Sequence, residues 1–515
     1  MKKNKYGNIE EQELQESIDT QDNYKFNISG DSENIYAKRE EKHRYYVIDK
    51  DGNVEGPLYV DENPGDITKD VYGNELTGKS ENEAYQINSI EDLCAVSNMS
   101  NNGTDFSGKY IKLMKNLDFK SDISYVNGNV SELGEIQSFT NYIDLKNYLT
   151  DEAKTGFVPV LKLSGILDGN NKIISNMYIN DINNNCALIK ENSGKIINLE
   201  IKGGKVIGKE NCAGIVSKNW REGEITNCKS SIEVNTSNDG EAGIACYNYG
   251  KIINCSFNGI LKKINEKEGW SYGGITAVNQ SGGEITNCVN NGEIKGSYNT
   301  GGIVGYNNGG KISNCSNKFN FNFTIGGYQK GGICGNNQGT VENCYNIGNI
   351  NVNSDSNAGV VGSNKEKGII NRCYNTGNII GTGYNIGGIC GVNNGGKIND
   401  CYNNGDVYNK TTSINIGAGG IAGLNKNGEI NNCYNIGNIS HKYGKIDSIA
   451  VKGEDGVINN CYYIETGTKS EYGISKTESE MKTADFIKLL NTNGDVWKID
   501  SGKINKGFPI LNWQN

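Results

Sequence analysis

Proline and histidine are nearly missing from this chain, with 4 and 2 residues in 515. With so little proline, its 69 glycines belong neither to collagen nor to polyproline linkers and point to many tight turns between short strands. The shortage of histidine excludes two chemistries. A zinc protease of the His-Glu-x-x-His kind needs two imidazoles one helical turn apart, and Ser-His-Asp catalysis needs one placed imidazole. Neither His43 in EKHRYY nor His441 in SHKYG fits either requirement. Apolar residues make up only 35%, too few for one large core at this length. No run approaches the ~18 apolar residues of a membrane span. Met1 to Thr20 also lacks the apolar stretch of a secretory signal, so an export signal is not expected in this sequence. The net charge of −9 leaves no basic face for nucleic acid.

What is abundant is repetition. The phrase GGICGVNNGGKINDCYNNGDV, Gly387 to Val407, recurs in variants from about Ile174 to about Tyr462. Its cysteine falls at 228, 255, 288, 315, 344, 373, 401, 433 and 461, spaced 27 to 33 residues, with Met177 and Leu199 at the same place earlier. Three residues before it, from Ile174 to Ile458, the residue is always Ile or Val. Two inward positions three apart cannot share a straight strand, whose faces alternate with period two, so the chain bends between them. The residue just before the cysteine position supplies the bend. It is Asn in Asn198, Asn227, Asn254, Asn287, Asn314, Asn343, Asn432 and Asn460, a residue that tolerates the left-handed conformation and can hydrogen-bond to its neighbour one turn away. Arg372 and Asp400 break the pattern. Further inward ladders are read at Ile294, Ile350, Ile379, Val407 and Ile439, and at Ile215 through Ile421 on the opening strand.

These ladders predict an all-β fold: a right-handed parallel β-helix of about ten rungs, three short strands per rung, closed by small α/β caps at both ends. Five segments follow: 1–42 polar and frayed or disordered, 43–83 a hairpin and linker, 84–164 an N-terminal cap, 165–465 the repeats, and 466–515 a helical and aromatic C-terminal cap. In the hairpin, Asp49, Asp51 and Asn53 superficially resemble a calcium loop, but Val54 stands where glycine is needed, so a plain turn is expected. Ser89 caps a helix bearing Leu93, Val96 and Met99; another helix is expected over Asn141 to Leu149; and Thr477 to Glu480 form a capping box.

The string Gly-Gly-Ile/Val-x-Gly-x-Asn followed by Gly-x-Ile-x-Asn-Cys-Tyr-Asn-x-Gly, as in Gly331 to Ile350 and Gly419 to Ile439, resembles the GLUG-motif repeats of bacterial surface proteins. Such repeats also occur in the non-catalytic N-terminal region of immunoglobulin-A-cleaving metalloproteases. The resemblance covers about 165 to 465 and implies a β-helical stalk or adhesive module outside the cell.

Each repeated residue has a structural and a chemical reading. In-register cysteines point their Cβ atoms in parallel rather than toward each other, and no Cys-x-x-Cys occurs, so reduced buried thiols are expected rather than disulfides or a metal site. The series Lys195, Glu224, Lys251, Glu284, Lys311 reads as a cross-strand charge ladder rather than an active site. Tyr345, Tyr374, Tyr402, Tyr434 and Tyr462 follow five successive cysteines and are expected to face outward, where they stack on one another or bind a glycan or a host or matrix protein. They are the predicted ligand-binding residues. No catalytic residue, metal or cofactor is expected. The predicted function is a non-catalytic surface scaffold or adhesin-like module, with a polysaccharide lyase or hydrolase as the alternative.

Overall fold

The computed structural model describes residues 26–30, 34–39, 44–49, 54–60, 65–119, 154–181, 185–264, 269–323, 326–411, 417–465, 467–492 and 494–514. The turn at 50–53, the helix expected over Asn141 to Leu149 and His43 lie outside them. The chain divides into two compact units, one of 1–218 with 223–235 and one of 219–222 with 236–515.

In the first unit, Arg44–Asp49 and Val54–Val60 pair antiparallel where the hairpin is expected. Phe26–Gly30 and Asn34–Arg39 extend the pair to a four-stranded antiparallel sheet. Strands at 26–30 and 34–39 thus stand inside the segment expected to be frayed, because a ready-made edge offers them backbone partners that their polar composition does not advertise. Beyond it the chain enters a parallel ladder of Tyr85–Ile87, Tyr110–Leu113, Ile166–Asp168, Lys195–Ile197 and Glu224–Thr226. Helix α1, Ile90–Asn101, joins the first two strands and is capped by Ser89, whose side chain accepts from the amide of Asp92. Leu93 and Val96 are buried and Met99 is half-buried. Ser97 and Ser100 donate to the carbonyls of Val158 and Lys162, tying the helix to the neighbouring turn.

The second unit repeats one turn in register. Its first-strand ladder contains Lys251–Ile253, Glu284–Thr286, Lys311–Ser313, Thr340–Glu342, Ile369–Asn371, Lys397–Asn399, Glu429–Asn431 and Val457–Asn459. Three such strands from Ile166 onward in the first unit and eight in the second make eleven, against about ten turns expected. The fold is a parallel β-helix.

Within a turn, however, the strand count exceeds expectation. The turn from Lys311 contains Lys311–Ser313, Ser316–Asn317, Phe321–Phe323, Tyr328–Gly331 and Cys334–Asn337, so there are five short strands rather than three. A second left-handed bend lies within or just before the fourth strand of these turns. Ser271, Asn299, Gln329, Ser356 and Asn385 all have φ between +43° and +65° and recur one residue before an inward side chain. In sequence they vary too much to read as a ladder.

The first bend is as expected. Asn198, Asn227, Asn254, Asn287, Asn314, Asn343, Asn432 and Asn460 have φ between +49° and +56°, and Arg372 and Asp400 hold the same conformation at +51° and +54°. Register between turns fixes the backbone there even where the side chain does not favour it.

The C-terminal segment does not simply close the end of the stack. Residues around Thr468 to Gly473 cross the last turn, with Thr468 donating to the carbonyl of Ile439 and Ser470 to Asp447. Helices α2, Glu478–Met481, and α3, Ala484–Leu490, then lead the chain along the flank of the second-strand sheet. The Thr477–Glu480 capping box forms.

Candidate functional site

The repeated cysteines face inward. Every cysteine from Cys228 to Cys461 in the ladder is buried, and all fifteen cysteines of the chain are free thiols. Within the stack a thiol accepts from the next backbone amide, as Cys344 Sγ does from Cys315 N at 3.4 Å and Cys433 Sγ from Cys401 N at 3.3 Å. Burial pushes the Cys288, Cys344, Cys401 and Cys433 thiols up, and that of Cys334 to about 12, whereas at Cys315 and Cys373 burial is outweighed by hydrogen bonds from the thiols of adjacent turns, which lower them. These are packing groups.

Two further asparagine ladders run through the interior of the second unit. In one, Asn248, Asn279, Asn307, Asn337, Asn364 and Asn393 each pass a side-chain N–H to the next Oδ1 over 2.8 to 3.0 Å, and Asn425 ends the chain on the carbonyl of Gly428. In the other, Asn290, Asn317, Asn346, Asn375, Asn403 and Asn435 do the same over 2.7 to 2.8 Å. All are fully buried. The recurring Asn of Gly-x-Asn and of Cys-Tyr-Asn was the available signal, hidden by the many exposed asparagines beside it.

The predicted tyrosine row is brought together, but it is not an open surface. Tyr345, Tyr374, Tyr402 and Tyr434 stack at 5.0, 5.0 and 5.1 Å between centroids, with planes within 5°. At that spacing each inner ring spends both faces on its neighbours, leaving none for a sugar. The row is also covered. Tyr402, Tyr434 and Tyr462 are buried beneath Met481, Phe486, Leu490, Trp497, Phe508 and Leu511. Asn505 Nδ2 donates to the Tyr434 hydroxyl at 2.7 Å, that hydroxyl donates to the Pro509 carbonyl, and Gln514 Nε2 donates to the Tyr402 hydroxyl at 3.0 Å. Trp513 lies 5.7 Å from Tyr374 and 6.2 Å from Tyr345, which stay half-buried. The expected exposed aromatic row is therefore the seat of the chain's own C-terminal segment.

A polar column was missed. Glu241, Tyr272, Thr300, Lys330 and Asn357 stand in register on successive fourth strands, all fully buried. Farther along, the same position is filled by Ile386 and Ala418. Burial pushes the Glu241 carboxyl up to about 8, against hydrogen bonds from the Thr236 amide and hydroxyl that favour its ionised form. Burial likewise lowers Lys330 to about 7. Glu241 Oε2 and Thr300 Oγ1 have no hydrogen-bond partner among the described residues. His441 accepts the amides of Tyr443 and Gly444 at Nδ1, and burial lowers its pKa, so it is a turn-forming imidazole.

The outer wall carries one conspicuous irregularity. On the same fourth strands, one residue before the bend, Trp270, Tyr298 and Tyr328 point outward and stack, at 4.7 Å and 15° and then at 5.4 Å and 33°. Trp270 is 56% exposed and Tyr328 51%. The next turn places Asp355 opposite Tyr328, and Tyr384 beyond it is also exposed. Unlike the buried tyrosines, this stack has no segment of the described chain packed over it as a cluster. Among the described residues there is no group of three or more His, Cys, Asp or Glu that could hold a metal, and no helix long and apolar enough to cross a membrane.

The model of the GLUG motif matches residues 296–322, which span most of one turn of the second unit. The chain thus carries a GLUG motif where the repeat phrase is read. No curated protein matches it. Among solved structures, that of a candidate immunoglobulin A1 protease from Bacteroides ovatus is similar, with 18% identity, 86% of this chain and 96% of that chain covered, and a TM-score of 0.27. So distant a likeness carries no function across.

Proposed function

We propose that the chain is a non-catalytic β-helical scaffold that works at the cell exterior as an adhesin-like binding module. One observation carries this reading. The side chains that repeat, cysteine, asparagine and tyrosine, are consumed by packing against the next turn or the C-terminal segment, whereas the exposed aromatic stack of Trp270, Tyr298 and Tyr328 occupies a few turns only. A wall built by repetition with an unrepeated aromatic patch is the form of a display scaffold. The GLUG motif at 296–322 lies within those turns and supports the extracellular setting.

Two experiments test the proposal together. Protease shaving of intact source cells, followed by detection of peptides from this chain, is expected to release it; recovery only from the cytosolic fraction would refute the location. The purified chain on a surface is expected to retain glycans or matrix protein, and failure to retain either would remove the binding role.

A further inference from the structure

The stack of Trp270, Tyr298 and Tyr328 offers few free ring faces. Tyr298 lies between its neighbours, so only the outer faces of the two end rings lack a ring partner among the described residues. The end at Trp270 is a step. Trp270–Gly273 is a four-residue strand, but the strand paired with it on the preceding turn, Glu241–Ala242, has two residues, so Trp270 stands beyond that strand's end, level with the exposed Asp239. Asp239 is held at that step, its Oδ1 accepting the Trp270 amide at 2.9 Å. The other end of the stack also meets a carboxylate, Asp355, paired in register with Tyr328.

An exposed indole face beside a fixed carboxylate is complementary to a pyranose. The ring's axial C–H face is apolar and mildly positive and packs on the negative π-face, while its equatorial hydroxyls or an amino group reach the acceptors at the edge. A carboxylate at each end of the stack repels uronic and sialic acids and favours neutral or amino sugars.

We infer that the outer face of Trp270, above Asp239, is a docking site for one pyranose ring of a neutral or amino-sugar glycan. This deepens the binding role proposed above and rests on it. The site lies three turns or more from the tyrosine row read from the sequence, and it needs none of those five residues.

The full chain is titrated with cellotriose, chitotriose, chitosan trimer and trigalacturonate, followed by calorimetry and indole fluorescence. Saturable binding is expected for at least one of the first three and none for trigalacturonate. Trp270→Ala is expected to weaken binding more than tenfold and Trp270→Phe less, with circular dichroism unchanged because the side chain is exposed. Asp239→Asn is expected to weaken the chitosan trimer more than cellotriose. Absence of binding to all three sugars, binding unchanged in Trp270→Ala, or preference for trigalacturonate would overturn the inference. Retention of a matrix protein with no binding of any of the three sugars would overturn this site while leaving the display role standing, and absence of all retention by the unaltered chain would remove both.

Discussion

The side-chain amide of Asn375 donates to Oδ1 of Asn403 at 2.8 Å, and both residues are fully buried. Asn375 also donates to the carbonyl of Gly377 and accepts from Asn346, so one side chain serves three neighbours on three turns. In a low-dielectric interior such a chain is costly to interrupt, because each orphaned polar atom carries its desolvation penalty.

Asn375→Ala is therefore expected to destabilise the second unit by about 2–4 kcal/mol. Asn291→Ala removes a superficially similar bond, from Asn291 Nδ2 to Asn258 Oδ1 at 2.9 Å, but an exposed one, and is expected to cost less than about 0.5 kcal/mol. Urea denaturation of the two variants side by side measures the difference.

The bend before each cysteine makes a backbone prediction. Asn287 has φ +56°, and Asn287→Gly removes the steric penalty along with one exposed hydrogen bond to Asn254, for little net change. Asn287→Val forces a β-branched residue into the left-handed region and is expected to cost at least about 1–2 kcal/mol. Equal unfolding midpoints for the two variants would contradict the bend.

Glu241 gives the fold a pH dependence of known sign. Its carboxyl stays protonated in the fold up to about 8, whereas the unfolded chain releases that proton near 4.5. Between those values the unfolded state binds fewer protons, so stability falls as pH rises, by up to about 1.4 kcal/mol per pH unit. Lys330, lowered to about 7 from an ordinary 10.5, adds stability as pH climbs above 7, so the Glu241 slope is cleanest between pH 5 and 7. Glu241→Gln is expected to flatten the curve in that window, and an unchanged slope would exclude Glu241 as its source.

The C-terminal segment is an integral wall rather than a loose tail. Trp497 is buried 5.4 Å from Tyr434 and 6.1 Å from Tyr402. Trp497→Ala is expected to cost about 3–5 kcal/mol and to raise the solvent exposure of the stacked tyrosines, read by second-derivative ultraviolet absorbance.

How much of this was legible depended on whether the cause was local. The Ile-x-x-Cys offset demanded a bend, and the asparagine before the cysteine named where, because both are properties of a few consecutive residues. The cysteines read as packing for the same reason. The tyrosine row reads as outward from variation at its position, with Lys229, Ser256 and Val289 there in other turns. It does leave the inner core, but what covers it comes from residues 481–514, which for Tyr345, Tyr374 and Tyr402 means partners more than a hundred positions away that periodicity cannot place. The second bend, at Ser271, Asn299, Gln329 and Ser356, is hidden by side-chain variety, and with it the buried Glu241 to Asn357 column and the outward Trp270 stack one residue to its other side.

The measurement that bears most directly on the account sets binding against turnover in one sample. The purified chain is incubated with immobilised and soluble glycans, and retention is recorded alongside new reducing ends and unsaturated products. Retention without any product, lost on Trp270→Ala, is the predicted result. Release of cleaved oligosaccharide by the intact chain would contradict the account and return the fold to the polysaccharide-cleaving alternative.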